Sequence, residues 1–333
     1  MSTPIPNLTL KDAIEGYLIH AQAAGLSPHT IAIYRRRLHQ MAKYLGANTH
    51  LAAITSGDLE RFMAYMRTEY RPRRASGNDA PLAPATLDNI WCAIRSFFRW
   101  ANETMQLPRP DLHLQRPQFQ PPEIIPFTDE EIRALLRACQ YTATAKTNRR
   151  SAFAMRRPTA RRDRALILLM LDTGLRVSEI ARTNIADLNL EAGEITIQPY
   201  GSGRKTKPRT VPLGARTLRA LWEYLAWRKS QTPPPTPDSP LFAAPPYFTR
   251  LDRHAIRRLL QRLGERAGVH RVYPHRFRHT FAIRYLRNGG DIFTLQRILG
   301  HSSLDMVRRY LHIAQADLKT AHRKASPVDN LNL

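Results

Sequence analysis

Four short stretches of the 333-residue chain hold side chains whose types and spacing can do chemistry. They are "TGLRVSEI" with Arg176, "GSGRKTKPRTVPL" with Lys205 and Lys207, "PHRFRHTFAIRYL" with His275 and Arg278, and "LGHSSLDMVRRYLH" with His301 and, nine residues later, Tyr310. Such a set suits a metal-free attack on a phosphodiester. That reaction needs a nucleophile, cations for the charge gathering on the nonbridging oxygens, and an acid for the departing oxygen. Two arginines can fork onto phosphate oxygens, histidines can donate hydrogen bonds or shuttle protons, and a phenol can attack once a cationic pocket stabilises its phenolate. Each stretch alone also has an ordinary explanation. Arg176 follows Gly174 and can cap carbonyls, and His275 with Arg278 can be a solvated helix start. His301 can cap the next helix, and Tyr310 lies three and four residues beyond Val307 and Met306, where a boundary aromatic belongs.

Composition narrows the choice. Lys and Arg number 51 against 27 Asp and Glu, a net charge of +24. An excess of that size favours a polyanionic partner, because each neutralised phosphate releases counterions. Nucleic acid is the leading candidate. No basic amphipathic terminal anchor speaks for a membrane. The start, "MSTPIPNLTLKDA", lacks the regions of a signal peptide, and the longest strongly apolar run, "ALILLML" from Ala165 to Leu171, is far too short to span a bilayer. Cys92 and Cys139 have no partners at metal-ligand spacing, and no HExxH or Cys/His zinc pattern occurs, so the expectation is no metal, no other cofactor and a reducing cytoplasm.

The elements that must position the four stretches can be read from caps and periodicity. "SPHTIAIYRRRLHQMAKYLG" offers Ser27 as N-cap, Pro28 in the first turn, apolar residues at three- and four-residue steps, and Gly46 as a stop. "TSGDLERFMAYMRTEY" and "APATLDNIWCAIRSFFRWANE" predict two further helices, with "RPRRASGNDAPL" as the loop between them. "LPRPDLHLQRPQFQPPEIIPF" carries six prolines and predicts a linker over 107–127. "TDEEIRALLRAC" opens the second half with Thr128 as cap and acids in the first turn. The basic "KTNRRSAFAMRRPTARR" reads as a loop, and "RALILLMLDTG" as a buried helix stopped by Gly174. "GEITIQPYGSGRKTKPRTVPL" alternates around a Gly-rich turn, predicting two strands of a small antiparallel sheet. Helices are predicted again over "ARTLRALWEYLAWRK", "DRHAIRRLLQRLGERAG", "HRFRHTFAIRYLRNGG" and "DIFTLQRILG".

Together the four stretches resemble the tyrosine recombinase (phage integrase) family. Its pattern is an arginine in G-L-R-x-S-E, a lysine in a β-hairpin, H-x-x-R-H, G-H, and a tyrosine nine residues after that last histidine, and all occur here in that order. "SPHTIAIYRRRL" and the helices around it also look like the family's core-binding domain. The resemblance implies a mainly α fold with a small antiparallel β-sheet in the catalytic domain, an α+β architecture. It implies a two-domain DNA clamp: a SAM-like helical domain over 1–106, a linker over 107–127, and a catalytic domain over 128–325 with a tail to 333. It further implies strand cleavage through a 3′-phosphotyrosyl link to Tyr310, leaving a free 5′-hydroxyl. Strand exchange then passes through a four-way (Holliday) junction, without metal or ATP. Arg176, Arg278, His275 and His301 would form the phosphate pocket.

The hairpin departs from the pattern. Relatives often read G-K-G-x-K-x-R-x-V-P-L with the first lysine catalytic, whereas the triplet here is "GSG" with Ser202 in the middle, and the matching position is Arg204. An arginine is a poor acid. The expected acid is therefore Lys205, one residue off register, with Lys207 and Arg204 as alternatives. Glu179 is expected either to orient Arg176 or to be a simple first-turn acid, and His279 to buttress the site without touching phosphate. The tail after Tyr310 resembles the family's C-terminal segment, expected to dock on a neighbouring protomer or else to pack on its own chain. The expected partners are a double-stranded DNA site and three further copies in a homotetramer on synapsed DNA, with a monomer free in solution, no membrane, and a cytoplasmic, nucleoid-associated location. Two rivals remain: a type IB topoisomerase-like enzyme, and a non-catalytic sequence-specific DNA-binding protein.

Overall fold

The computed structural model describes residues 8–74, 77–120, 123–142, 145–147, 150–199, 208–301, 303–314, 326 and 328. Lys205, with Arg204 and Lys207, and the tail from 315 to 325 lie outside these residues. The chain divides into two compact units, one ending at Pro122 and one beginning at Glu123.

The first unit is helical: α1 (Leu10–Ala23), α2 (Pro28–Leu45), α3 (Ser56–Thr68) and α4 (Pro84–Met105). The predicted caps of α2 are in place. Ser27 accepts the Thr30 amide through its hydroxyl, Pro28 sits in the first turn, and Gly46 ends the helix at φ 96°. α3 opens on a reciprocal capping box between Thr55 and Asp58. The apolar faces of the four helices share one core, in which Leu10, Leu38, Met41, Phe62 and Phe97 lose essentially all contact with solvent. α1 was not among the helices singled out from the sequence.

Much of the proline-rich stretch expected to be linker packs on this unit. Asp111 is fully buried, clasped by Arg109 at 2.6 Å and by Arg95 of α4 at 3.3 Å. The Trp91 indole donates to the Leu114 carbonyl at 2.9 Å, and Arg95 and Arg116 stack over its ring at 5.4 and 5.3 Å. Prolines rule out helix here but leave these side chains free to pack.

The second unit contains α5 (Asp129–Gln140), β1 (Ala145–Thr147), β2 (Arg150–Phe153), α6 (Ala160–Thr173), α7 (Val177–Arg182), β3 (Leu188–Asn189), β4 (Glu194–Ile197) and β5 (Arg209–Pro212). It continues through α8 (Ala215–Lys229), β6 (Ala243–Ala244), β7 (Thr249–Arg250), α9 (Arg253–Ala267), α10 (Pro274–Arg287), α11 (Ile292–Leu299) and α12 (Asp305–Ala314). The basic stretch read as a loop instead holds the antiparallel β1–β2 hairpin. A short hairpin can be charged along its length, so composition alone did not reveal it.

α6 is the axis of the unit. Ala165, Leu166, Ile167, Leu169 and Met170 are all fully buried, as expected of a helix apolar on every side. The order of the main sheet is β3-β4-β5, antiparallel, with Ile195 opposite Val211 and Ile197 opposite Arg209. Period-two alternation turns Ile195, Ile197 and Val211 inward, so Arg209 enters from the same face as Val211. The predicted pair of strands is therefore present, with the two-residue β3 added at one edge. Among the described residues no helix is long and apolar enough to cross a membrane.

Candidate active site

Three short segments meet at the C-terminal end of α11. Arg176 is the N-cap of α7, directly after the turn that ends α6. That turn depends on Gly174, which has φ 60°; a Cβ there would lie 2.5 Å from the Phe281 ring and 2.9 Å from the Leu299 side chain. The glycine permits both the left-handed backbone and the close approach of α10 and α11. Its carbonyl accepts from Nη1 of Arg278 at 2.8 Å, which ties the turn to α10.

The last carbonyls of α11 receive three arginine side chains. Nη2 of Arg278 donates to the Leu299 oxygen at 2.8 Å, Nη1 of Arg176 approaches the same oxygen at 3.5 Å, and Nε of Arg209 donates to the Ile298 oxygen at 2.8 Å. Helix C-termini carry orphan carbonyls and a partial negative charge, which explains why cations settle there. Below them Glu179, its side chain fully shielded, joins the set. One carboxylate oxygen accepts from Arg176 Nη1 at 3.1 Å and Arg209 Nη1 at 3.1 Å, the other from Arg209 Nη2 at 2.8 Å and the Arg176 amide at 2.8 Å. Glu179 thus both closes the first turn of α7 and orients Arg176, so the two readings left open for it hold together.

The histidines divide by role. His301 Nε2 lies 2.6 Å from Nη2 of Arg278. Since arginine only donates, Nε2 must accept, which leaves the proton of neutral His301 on Nδ1, and that buried atom has no partner among the described residues. Burial, then the charges of Arg278, Arg176 and Arg209, push the His301 pKa down to about 4. His275, one turn before His279 on α10, is exposed; the protein around it and the charges of Arg278 and Arg176 hold it below the ordinary value. Arg278 is 3% exposed, and burial followed by the Arg176 charge lowers its pKa to about 10, so it stays a cation at neutral pH.

Tyr310, on α12, is 5% exposed, and its hydroxyl lies 2.9 Å from Nδ1 of His279. Burial raises the phenol pKa, while Arg278, Arg309 and Arg176 pull it back toward the phenolate. Of the six residues singled out from the sequence, five are described. Arg176, Arg278 and His301 gather in one contact network through Glu179 and Leu299. His275 and Tyr310 flank it on α10 and α12, and Lys205 lies outside the described residues. Arg209 was missed. It stands two places before Val211 in "KPRTVPL", a stretch whose lysine matches the family pattern, and its partners are 30 and 89 residues away.

The arrangement offers a fixed cationic floor with spare donors. Arg278 uses three of its N–H groups and Arg176 two, leaving others free to meet an anion. A buried phenol stands beside it.

Comparison with known proteins agrees with this picture. Residues 127–317 match the phage integrase family, and residues 14–106 match the phage integrase N-terminal SAM-like domain. The chain is 32% identical to tyrosine recombinase XerC of Pelobacter propionicus over 332 residues, covering 96% of both chains. It is 29% identical to tyrosine recombinase XerA of Thermococcus onnurineus, covering 97% and 98%. Among solved structures it resembles the Tn1549 transposon integrase in complex with a circular intermediate DNA, with a TM-score of 0.71 at 18% identity over 96% of this chain and 99% of that one. That last likeness is one of fold.

Proposed function

The chain belongs to the phage integrase family of tyrosine recombinases, and from that premise we propose a residue-by-residue account of how it cuts and rejoins DNA. It is a site-specific recombinase. Arg176 and Arg278 hold the nonbridging oxygens of the scissile phosphate with their free N–H groups, and His275 and His301 add hydrogen bonds to the same oxygens. Tyr310 attacks phosphorus, giving a 3′-phosphotyrosyl link and releasing a 5′-oxygen that Lys205 protonates. The link keeps the energy of the broken ester, so a 5′-hydroxyl from a second strand can displace the tyrosine without ATP, and two such exchanges pass through a Holliday junction. The arginines neutralise the charge that a metal ion would otherwise meet. One observation carries the account: a nearly buried phenol that feels the charges of two arginines anchored on the Leu299 carbonyl.

Double-stranded DNA is the substrate in this reading. The excess of 24 positive charges supports it, as do the printed subjects of the related structures, such as an integrase on circular intermediate DNA. The residues matching the SAM-like domain form a first DNA-binding unit and residues from Glu123 onward the catalytic one. The enzyme assembles as a tetramer on two paired sites, from monomers in solution, and works in the cytoplasm on nucleoid DNA.

The test is a nicked duplex from which the cleaved fragment diffuses away, trapping the covalent adduct. The native protein forms the adduct in EDTA, and Tyr310→Phe binds the duplex but forms none. An adduct with the phenylalanine variant removes the assignment of the nucleophile. Strand exchange between two sites, rather than mere loss of supercoils, separates a recombinase from a type IB topoisomerase-like enzyme.

A further inference from the structure

Attack by Tyr310 needs somewhere for the phenol proton to go. Arg176 and Arg278 are cations that cannot take it, and the acid proposed for the departing 5′-oxygen gives a proton rather than taking one. His279 is already in hydrogen-bond contact with that hydroxyl. Its Nδ1 lies 2.9 Å from Tyr310 Oη, within the reach required of a general base, and no other hydrogen-bond partner of this hydroxyl occurs among the described residues. The two residues sit on different helices, α10 and α12, with rings 5.6 Å apart and inclined by 51°, so tertiary packing rather than a local turn brings them together.

We propose that His279 is the general base of the reaction, a reading that rests on Tyr310 being the nucleophile. The Tyr310 O–H bond breaks, its proton moves to Nδ1 of the neutral imidazole, and its oxygen forms the bond to phosphorus. The phosphorus–5′-oxygen bond breaks in the same step, and that oxygen takes the proton supplied by Lys205. On rejoining, the incoming 5′-hydroxyl gives its proton back to the neutral Lys205 amine as its oxygen bonds to phosphorus, the phosphorus–Tyr310 bond breaks, and His279 returns its proton to the phenol.

The surroundings suit the role. Burial, followed by the charges of His275 and Arg278 on its own helix and Arg309 on α12, holds the His279 pKa at about 4, so the imidazole is neutral, and its tautomer with the proton on Nε2 presents an Nδ1 lone pair to the phenol. That low basicity belongs to the DNA-free protein. A phosphate seated on Arg278 brings a negative charge that offsets the nearest cation, so proton affinity rises when the substrate is in place. Without DNA the proton stays on the tyrosine, whose own pKa burial raises.

The experiment is single-turnover cleavage of the trapping duplex with sulfur in place of the bridging 5′-oxygen. A thiolate leaves without a proton, so the rate reports only the nucleophile's side. The native enzyme is compared with His279→Ala and His279→Asn, with and without free imidazole, across pH. Asparagine can set an oxygen near the Nδ1 position and keep the hydrogen bond, but it cannot take the proton. Both variants should bind the duplex as the native protein does and cleave about 100-fold more slowly, at the lower end of what a general base contributes. Imidazole should restore His279→Ala in its unprotonated form and leave His279→Asn slow, and the acid limb of the native rate profile should be absent from both. Native-rate cleavage by His279→Asn would make His279 a positioning residue, and native-rate cleavage by His279→Ala would remove it from the reaction. A slow His279→Ala that imidazole does not restore would assign the contact to packing. If the alanine variant does not fold, as its melting would reveal, the asparagine variant and the native acid limb decide. An adduct formed by Tyr310→Phe would instead overturn the nucleophile itself, whatever the His279 variants do.

Discussion

Arg209 clasps Glu179 with both ends of its guanidinium, Nη1 at 3.1 Å from Oε1 and Nη2 at 2.8 Å from Oε2. The pair joins the inner face of β5 to α7, the helix whose N-cap is Arg176. A parallel two-pronged contact fixes direction as well as distance.

Arg209→Ala should therefore do more than thin the positive charge. It leaves the Glu179 side chain buried with only Arg176 beside it, and breaking one side of a buried pair costs about 3–5 kcal/mol. Thermal melting should fall by several degrees, and single-turnover cleavage should fall further than DNA affinity, because Arg176 loses the anchor of its orienting carboxylate. Arg209→Lys should recover the melting temperature in part but not the rate, since an ammonium cannot fork. A melting curve for Arg209→Ala that overlays the native one would refute the coupling.

Stability should decline in acid in two stages, and the signs agree. His279 and His301 titrate at about 4 in the folded protein against an ordinary 6.5, so the unfolded chain binds more protons in that interval and stability falls as pH drops from 6.5 toward 4. Glu179 is the second stage. Burial would raise its pKa, but the Arg209 hydrogen bonds and charge, then Arg176, bring it below 4.5. Its contribution is present above 4.5 and is lost as pH falls through the folded value. Denaturant titrations at pH 7, 5.5 and 4.5 should show the first decline, and His301→Gln should flatten it; equal stabilities at the three values would contradict neutral, half-buried histidines.

Gly174→Ala should disable the site without touching a charged group. The left-handed backbone costs about 1–2 kcal/mol for a residue with a Cβ. Crowding against Phe281 and Leu299 adds about 1–3 kcal/mol of overpacking. Because the Gly174 carbonyl holds Arg278, cleavage should drop along with the melting temperature. Retained activity in a clearly destabilised variant would separate the turn from the arginine.

Lys205 can be tested by the same sulfur substrate. If it is the acid, Lys205→Ala should cleave ordinary DNA poorly and the sulfur duplex almost as well as the native enzyme. Arg176→Ala should gain nothing from sulfur, because its task is phosphate charge. Rescue confined to Lys207→Ala or Arg204→Ala would move the acid to that position, and no rescue anywhere in the hairpin would remove the acid from it.

Much of this architecture could be read from the chain, and the pattern of misses has a physical basis. Caps are local, so Ser27, Thr128, Gly46 and Gly174 stand where they were expected. Alternation marked β4 and β5, whereas β3 has only two residues and no period to detect. The β1–β2 hairpin hides in a run of arginines. Asp111 is fully buried inside a segment whose prolines suggested an extended tether, because burial there is secured by Arg95 and Arg109 rather than by hydrophobic residues. In the site, the residue types were visible but their wiring was not. Arg209 reaches Glu179 across 30 residues and His279 reaches Tyr310 across 31, and no spacing rule spans such separations.

The end of α11 also sets how the enzyme fails on heating. Eight residues make a helix too short to persist alone, so its persistence depends on its neighbours, the three arginines on its last carbonyls among them. Those arginines in turn lose their common anchor if the helix frays. Local opening of this one segment, well short of global unfolding, would scatter the phosphate pocket in a single event. Thermal inactivation should accordingly precede the main melting transition, and the working temperature of the enzyme is then that of this eight-residue helix, not of the domain around it.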